Sequence, residues 1–156
     1  MDAFTELLTI LRGDDVFTGL MAGGIYDVPL DPNDEDGTGQ AWQRHPLTQV
    51  QRLRPAAVML RPQEVDMPFG LNPGRRLDLD LWPDLYLYAE GPDALDVLNE
   101  ADARAMALLH GRHIGLAEVR ATGHRGVTLP ADELPGHVMH TYRRFRISTV
   151  RHIQEV

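Results

Sequence analysis

Residues Leu77 to Ala89 alternate between two kinds of side chain, and this pattern limits the possible folds more than any other. The odd positions are Leu77, Leu79, Leu81, Pro83, Leu85, Leu87 and Ala89, and the even positions are Asp78, Asp80, Trp82, Asp84, Tyr86 and Tyr88. Successive side chains of a strand point to opposite faces, so the pattern predicts a long strand with one apolar face. Proline cannot donate to a ladder, so Pro83 predicts an edge position or a bulge midway. At ~3.3 Å per residue the strand would be about 40 Å long, and we expect part of it to project.

Two helices and four further strands are predicted around this strand. The first helix ends at Gly13 and buries Phe4, Leu7, Leu8 and Leu11, and the second starts at Pro92 and ends at Gly111. Strands are expected at 25–28, 55–60, 114–120 and 138–150. The sequence therefore predicts an α+β fold, a mainly antiparallel sheet with two helices packed on one face and a long projecting strand or hairpin. Residues 1–156 fit a single domain.

Two segments rich in glycine and proline, 29–40 and 121–136, are predicted to be exposed loops. The first contains Asp34, Glu35 and Asp36 within an uneven charge distribution. Residues 1–40 hold nine acids and one arginine, whereas residues 41–156 hold 14 of each. The net charge of −8 argues against a protein coated in nucleic acid, because phosphate binding needs a basic surface. The acidic segment is expected to be solvated or to face a partner that carries arginine.

The composition of the chain excludes several kinds of covalent link, metal site and catalytic site. The chain has no cysteine and no lysine, which excludes disulfides, thiolate metal sites, Schiff-base lysines and P-loop lysines. Ser148 lacks the surroundings of a catalytic nucleophile. The pairs His110/His113 and His137/His140 have a three-residue spacing that could bring two imidazoles together on a helix. Gly111 ends the helix between the first pair, however, and a strand points the second pair to opposite faces, so we expect ordinary surface histidines. We expect no catalytic, cofactor or metal residues. No apolar run suggests a membrane span, and the acidic N-terminus predicts a cytosolic start.

The even face of the long strand carries Trp82, Tyr86 and Tyr88, which are candidate interface residues. Exposed aromatic side chains with polar tips are typical anchors of protein interfaces. The alternative is that a helix covers this face and makes the three residues part of the core.

A second candidate group is the arginine cluster Arg143, Arg144, Arg146 and Arg151, which gives residues 137–156 a net charge of +3. Three interpretations remain open. These arginines could pair with the acidic segment of a neighbouring subunit, contact DNA phosphates, or be solvated.

The order of these elements is similar to that of the tail-terminator (tail-completion) proteins of long-tailed bacteriophages. The likeness rests on the N-terminal helix, the proline-flanked strand Arg54–Leu60, the alternating strand, a helix from Asp93 that ends in Leu-Leu-His-Gly, and the closing strand Tyr142–Ile147. The acidic segment 29–40 departs from that pattern. The resemblance implies a structural virion protein, located in the tail or neck and assembled in the host cytoplasm. Such proteins form a hexameric ring that caps the tail tube, ends its polymerisation and docks the head connector, while DNA passes through the lumen.

Three alternatives are kept. The nearest is another head–tail connector or neck protein. A nucleic-acid-binding module that uses the C-terminal arginines belongs to a different class. An enzyme is the third, for which stoichiometric zinc or calcium would be the sign.

Overall fold

The computed structural model describes residues 3–31, 41–44, 46–48, 51–61, 65–68, 76–115, 117–128 and 138–152. Three helices lie in this part of the chain: α1 (Ala3–Gly13), α2 (Asp15–Leu20) and α3 (Ala94–Leu109). Ten strands accompany them: β1 (Gly24–Tyr26), β2 (Trp42–Arg44), β3 (Gln51–Leu53), β4 (Ala56–Met59), β5 (Val65–Pro68), β6 (Arg76–Leu81), β7 (Asp84–Glu90), β8 (His113–Ile114), β9 (Ala117–Thr128) and β10 (Val138–His152). The predicted α+β class is confirmed.

Strand β10 organises the main sheet, which has eight strands within the described residues. β9 pairs with one side of β10, while β7 and then β6 pair end to end along the other side. β4 and then β1 extend the sheet beyond β7, and β5 extends it beyond β6. Among the described pairs only β1–β4 is parallel, so the sheet is mainly antiparallel, as predicted.

The long alternating strand is two strands separated at Trp82 and Pro83. The carbonyl oxygen of Pro83 accepts a hydrogen bond from the Phe145 amide at 2.9 Å, so the chain stays against β10 where proline has no donor. This interruption is the bulge-like break that the proline predicted. The first part of the segment, expected to project, is β6, which pairs with β5 and with the end of β10, past the last residues of β10 that pair with β7.

The main core lies between the helices and one face of the sheet. The buried face of β7 carries Leu85, Leu87 and Ala89, the odd positions of the alternation. They pack with the buried faces of the helices, which include the predicted residues Phe4, Leu7, Leu8 and Leu11 of α1. Burial of a side chain such as leucine contributes roughly 1.5–3 kcal/mol, so this face holds the helices on the sheet.

A second, minor core lies on the opposite face of the sheet, at the end where β4, β7 and β10 meet. Its buried residues are Ala41, Trp42, Leu53, Ala56 and Val138. β2 and β3 form a separate two-stranded sheet that supplies Trp42 and Leu53, and the Leu53 amide donates to Oε2 of Glu90 at 2.8 Å. The opposite face is therefore covered at this end by a small hairpin.

One predicted loop differs from the structure. Residues 121–128 continue β9 and pair with β10, where the register shifts between Arg143 and Phe145. Pairing with a central strand offsets the weak strand preference of Gly123 and Gly126, and glycines are common where a ladder is irregular. Residues 129–136 of that loop and residues 32–40 of the acidic segment lie outside the described residues.

Candidate functional site: a cross-strand ladder on the sheet

The face of the sheet opposite the helices carries a row of side-chain pairs that joins β7 to β10. Tyr88 pairs with His140, Tyr86 with Tyr142, and Asp84 with Arg144 in the strand register. Trp82, just before β7, lies under the guanidinium of Arg146, 5.4 Å from the ring centroid. We call these eight residues the ladder face.

The aromatic part of the ladder face is tightly associated. The ring centroids of Tyr86 and Tyr142 are 6.0 Å apart, and those of Tyr88 and His140 are 5.5 Å apart. Cross-strand aromatic pairs of this kind contribute roughly 0.2–1 kcal/mol each. They therefore help to hold β7 against β10, and all four residues remain partly exposed.

Exposure increases along the ladder. Tyr88 packs against the minor core, whereas Trp82 is 38% exposed and the Arg144 side chain is 40% exposed. Arg146 is also exposed, as is its neighbour Arg120, whose Nε donates to Glu118 at 3.0 Å. The accessible end of the site is thus the one with tryptophan and arginine.

Arg143 and Arg144 are adjacent in sequence but lie on opposite faces of the sheet. Arg144 lies on the ladder face, where Nε and Nη2 donate to the two oxygens of Asp84 at 2.8 and 3.1 Å. Arg143 lies on the helix face and donates to Asp102 of α3. Its side chain is only 13% exposed, so we leave Arg143 out of the candidate interface.

Burial and neighbouring charges shift the pKa values along the ladder. Burial raises the pKa of Tyr88 to about 12, and burial, followed by the charge of Asp84, raises the pKa of Tyr86. Burial lowers the pKa of His140, and its Nδ1 atom is buried without a hydrogen-bond partner among the described residues. The hydrogen bond to Asp84 raises the pKa of Arg144. At neutral pH Tyr86, Tyr88 and His140 are therefore neutral, whereas Arg144 is charged.

Of the sequence-predicted site residues, Trp82, Tyr86, Tyr88, Arg144 and Arg146 come together in the ladder face. Asp34, Glu35 and Asp36 lie outside the described residues. Sequence reasoning missed Tyr142, His140 and Asp84 as partners of the aromatic residues. The signal was available, since 140, 142 and 144 alternate with 141, 143 and 145 along the predicted final strand.

Two grooves open elsewhere on the described part of the molecule. One, about 430 Å³, is lined by residues including Arg12, Met21 and Tyr26, and another, about 520 Å³, by residues including Glu6, Ile10 and Arg112. Within the described ranges, no three or more histidine and acidic side chains cluster as a metal site would require. No described helix is long and apolar enough to cross a membrane.

Comparison with known proteins assigns no family. No family model matches the chain, and no curated protein matches it. What the site can do follows from its own chemistry: flat aromatic surface, hydroxyl groups and arginine donors on a regular sheet suit contact with another macromolecule.

Proposed function

We propose that this chain is a structural subunit of a bacteriophage tail-terminator ring, which caps the tail tube, ends its polymerisation and joins the tail to the head. The observation that supports this function best is the ladder face, an aromatic and arginine-bearing surface on a sheet whose other face is occupied by helices. Tryptophan, tyrosine and arginine are the residue types that contribute most to protein–protein binding.

The partners in this proposal are further copies of the chain in a ring of about six, the tail-tube protein and the head connector. A ring with head-to-tail contacts needs two different, complementary surfaces on each subunit. The ladder face supplies one surface with arginine, and the first 40 residues supply the acidic excess of the chain. DNA would pass through the lumen without specific binding.

A nucleic-acid-binding module is the second candidate, and one observation favours it. Aromatic rings interleaved with arginines on an antiparallel sheet are also used to bind single strands. Against it, Asp84 and Glu118 stand beside the arginines of the same face, and the chain carries a net charge of −8. We therefore favour protein partners. Another neck protein with similar partners is the nearest variant of the proposal.

Light scattering of the full chain across a dilution series, with negative-stain images of the same samples, tests this function. Rings of about six copies that bind the end of a tail-tube assembly are the expected result. A chain that stays monomeric and also fails to bind tail-tube protein would overturn the proposal. A salt-dependent gel shift with single-stranded DNA, absent from an Arg144→Glu/Arg146→Glu variant, would favour the nucleic-acid module instead.

A further inference from the structure

We infer that the groove beside β1 binds an aspartate or glutamate side chain of a partner protein through Arg12. The groove has a volume of about 430 Å³, and Arg12, Thr18, Met21 and Tyr26 are among its lining residues. Its described lining comes from the end of α1, from α2 and the residues after it, and from β1, and includes no residue of the ladder face. The inference rests on the proposed function only in taking the ligand from a protein.

The guanidinium of Arg12 is held in place without being neutralised. Its Nε and Nη2 donate to the carbonyl oxygen of Ile25, at 3.2 and 2.9 Å. In Arg143 and Arg144 the same two nitrogens donate to a carboxylate. A carbonyl oxygen has no net charge, and none of the ion pairs between described residues includes Arg12. The side chain is therefore oriented while its charge stays available to a ligand.

Arg12 also keeps the donors that a carboxylate needs. Arginine carries five N–H donors, and the two hydrogen bonds to Ile25 leave the second N–H of Nη2 and both N–H groups of Nη1. Parallel N–H groups on these two nitrogens can bind the two oxygens of one carboxylate, the strongest arrangement for this pair of groups. Because the guanidinium is already fixed, binding loses less side-chain entropy than it would at a mobile arginine.

A second groove shows what a compensated arginine looks like in the same molecule. Arg112 lines the groove of about 520 Å³ and donates to the carbonyl oxygen of Leu108 at 3.4 Å. Glu6 lines that groove as well, so a carboxylate accompanies the arginine. The described lining of the groove beside β1 contains Arg12 and no carboxylate. An excess of positive charge is therefore specific to the Arg12 groove of these two.

The surrounding charges favour a carboxylate over a phosphate group. Asp14 and Asp15 lie at the start of α2, and Asp27 directly follows β1. Asp14 is paired with Arg104, whereas Asp15 and Asp27 are exposed. A phosphate group carries a charge of about −1.5 to −2 at neutral pH and is repelled by these acids more strongly than a carboxylate is. One guanidinium compensates the single charge of a carboxylate in full.

The shape of the groove favours a protein as the source of that carboxylate. Its apolar lining residues Met21 and Ile25 are only 1% and 8% exposed, whereas Arg12 is exposed. Sites for small molecules bury about 70–90% of the ligand, mainly against apolar side chains, and little such surface is available here. A partner protein brings its own surface to cover the ion pair, and the pair is stronger once water is excluded.

Two peptides that differ in one charge test the site on the unmodified chain. The ¹⁵N-labelled full chain is titrated with acetyl-Val-Thr-Glu-Val-Thr-amide and with the same peptide carrying Gln in place of Glu. We expect the Glu peptide to shift the Arg12 Nε–Hε resonance and the Ile25 amide resonance saturably, with a Kd about tenfold lower than that of the Gln peptide. Equal shifts from both peptides, or none up to about 10 mM, would overturn the inference.

Variants at the two grooves locate the preference. Arg12→Gln removes the charge and should make the two peptides equivalent, whereas Arg12→Lys keeps the charge without the parallel donors and should show a smaller preference. The matched control Arg112→Gln removes a charge from the other groove and should keep the parent's preference. Retention of the preference in Arg12→Gln would contradict the assignment. If Arg12→Gln does not fold, the two peptides on the parent chain still decide.

Free anions separate the possible sources, and the ring is tested independently. Sodium acetate or inorganic phosphate that saturates the same resonances at a lower concentration than the Glu peptide would overturn the protein side chain as the ligand. Rings that form from a chain with no preference between the peptides would remove the Arg12 site and leave the ring function standing. A chain that forms no rings, but prefers the Glu peptide, would lose the ring function and keep the site.

Discussion

Arg143 donates from Nε and Nη2 to the two carboxylate oxygens of Asp102, at 2.6 and 2.8 Å, and so joins β10 to α3. The Asp102 side chain is 9% exposed. The hydrogen bond to Asp102 raises the pKa of Arg143, so the guanidinium is charged at every accessible pH. An ion pair in this position orients the helix against the sheet, next to the apolar residues that hold it there.

Removing one partner of this pair should be costly. Asp102→Ala leaves the Arg143 charge without its carboxylate in a poorly solvated site, and we expect the free energy of unfolding to fall by roughly 3 kcal/mol. Urea denaturation followed by circular dichroism measures the change.

The matched control replaces both partners. Asp102→Leu/Arg143→Met removes the charges together, and apolar replacement of a buried pair is often near neutral. A double variant as unstable as Asp102→Ala would show that the pair stabilises the fold by more than charge compensation.

The sequence predicted which residues lie on each face of β7. It did not predict how the arginines of β10 are divided between the two faces of the sheet. The strict alternation fixed which residues are buried, because only the apolar set can face a core. Arg143, Arg144 and Arg146 were treated as one cluster, although alternation separates the first from the other two. Asp102 gave a further signal, since it lies in the same helical stripe as Leu98 and Ala105, both buried.

Other features depend on tertiary contacts that no local pattern contains. The minor core forms because β2 and β3 pack over Ala56 and Val138. Small apolar side chains such as these do not indicate, in the sequence, where the hairpin packs. Val16, which precedes the buried Phe17 in α2, is 54% exposed although it is apolar. A helix of six residues offers only one narrow buried face, and Phe17 occupies it.

Protonation of Asp14 should lower the free energy of unfolding at acidic pH. Its carboxylate accepts from the Phe17 amide at the start of α2 and from Arg104 of α3, and these hydrogen bonds, the one to Arg104 above all, lower its pKa from 3.8 to about 2. A pKa depressed by folding gives stability that is present above pH 3.8 and lost as the pH falls towards 2. Denaturation of the parent and of Asp14→Asn at several pH values should therefore show a difference that shrinks over this range. Asp15→Asn, at an exposed neighbouring site, should not reproduce that trend.

Ionisation of Tyr88 should lower the free energy of unfolding at alkaline pH. Its pKa is raised from 10 to about 12 by burial, so its contribution is complete below pH 10 and is lost as the pH rises through 12. The pKa of Tyr86 is raised as well, so a spectrophotometric titration of phenolate should show late-ionising tyrosines, and Tyr88→Phe should remove the one that ionises near pH 12. If Tyr88→Phe leaves the titration curve unchanged in that range, Tyr88 is not buried as the ladder face requires.

Two glycines of the α2–β1 region should respond in opposite directions to the same substitution. A Cβ at Gly23 would lie 2.9 Å from the carbonyl oxygens of both Arg54 and Pro55, and the Gly23 amide donates to Pro55 at 2.7 Å. Backbone atoms can move only slightly to make room for a methyl group. Gly23→Ala should therefore push β1 away from β4 and lower the free energy of unfolding by about 1–3 kcal/mol.

At Gly19, inside α2, a Cβ meets nothing within 4 Å. Gly19→Ala should therefore stabilise the chain by about 0.5–1 kcal/mol, since alanine loses less backbone entropy in a helix than glycine does. Thermal melts of the two variants beside the parent measure both effects. If both variants shift the melting temperature in the same direction, the contact between Gly23 and the start of β4 does not constrain the fold. Helix preference alone does not make Gly23→Ala destabilising, so the opposite sign must come from that contact.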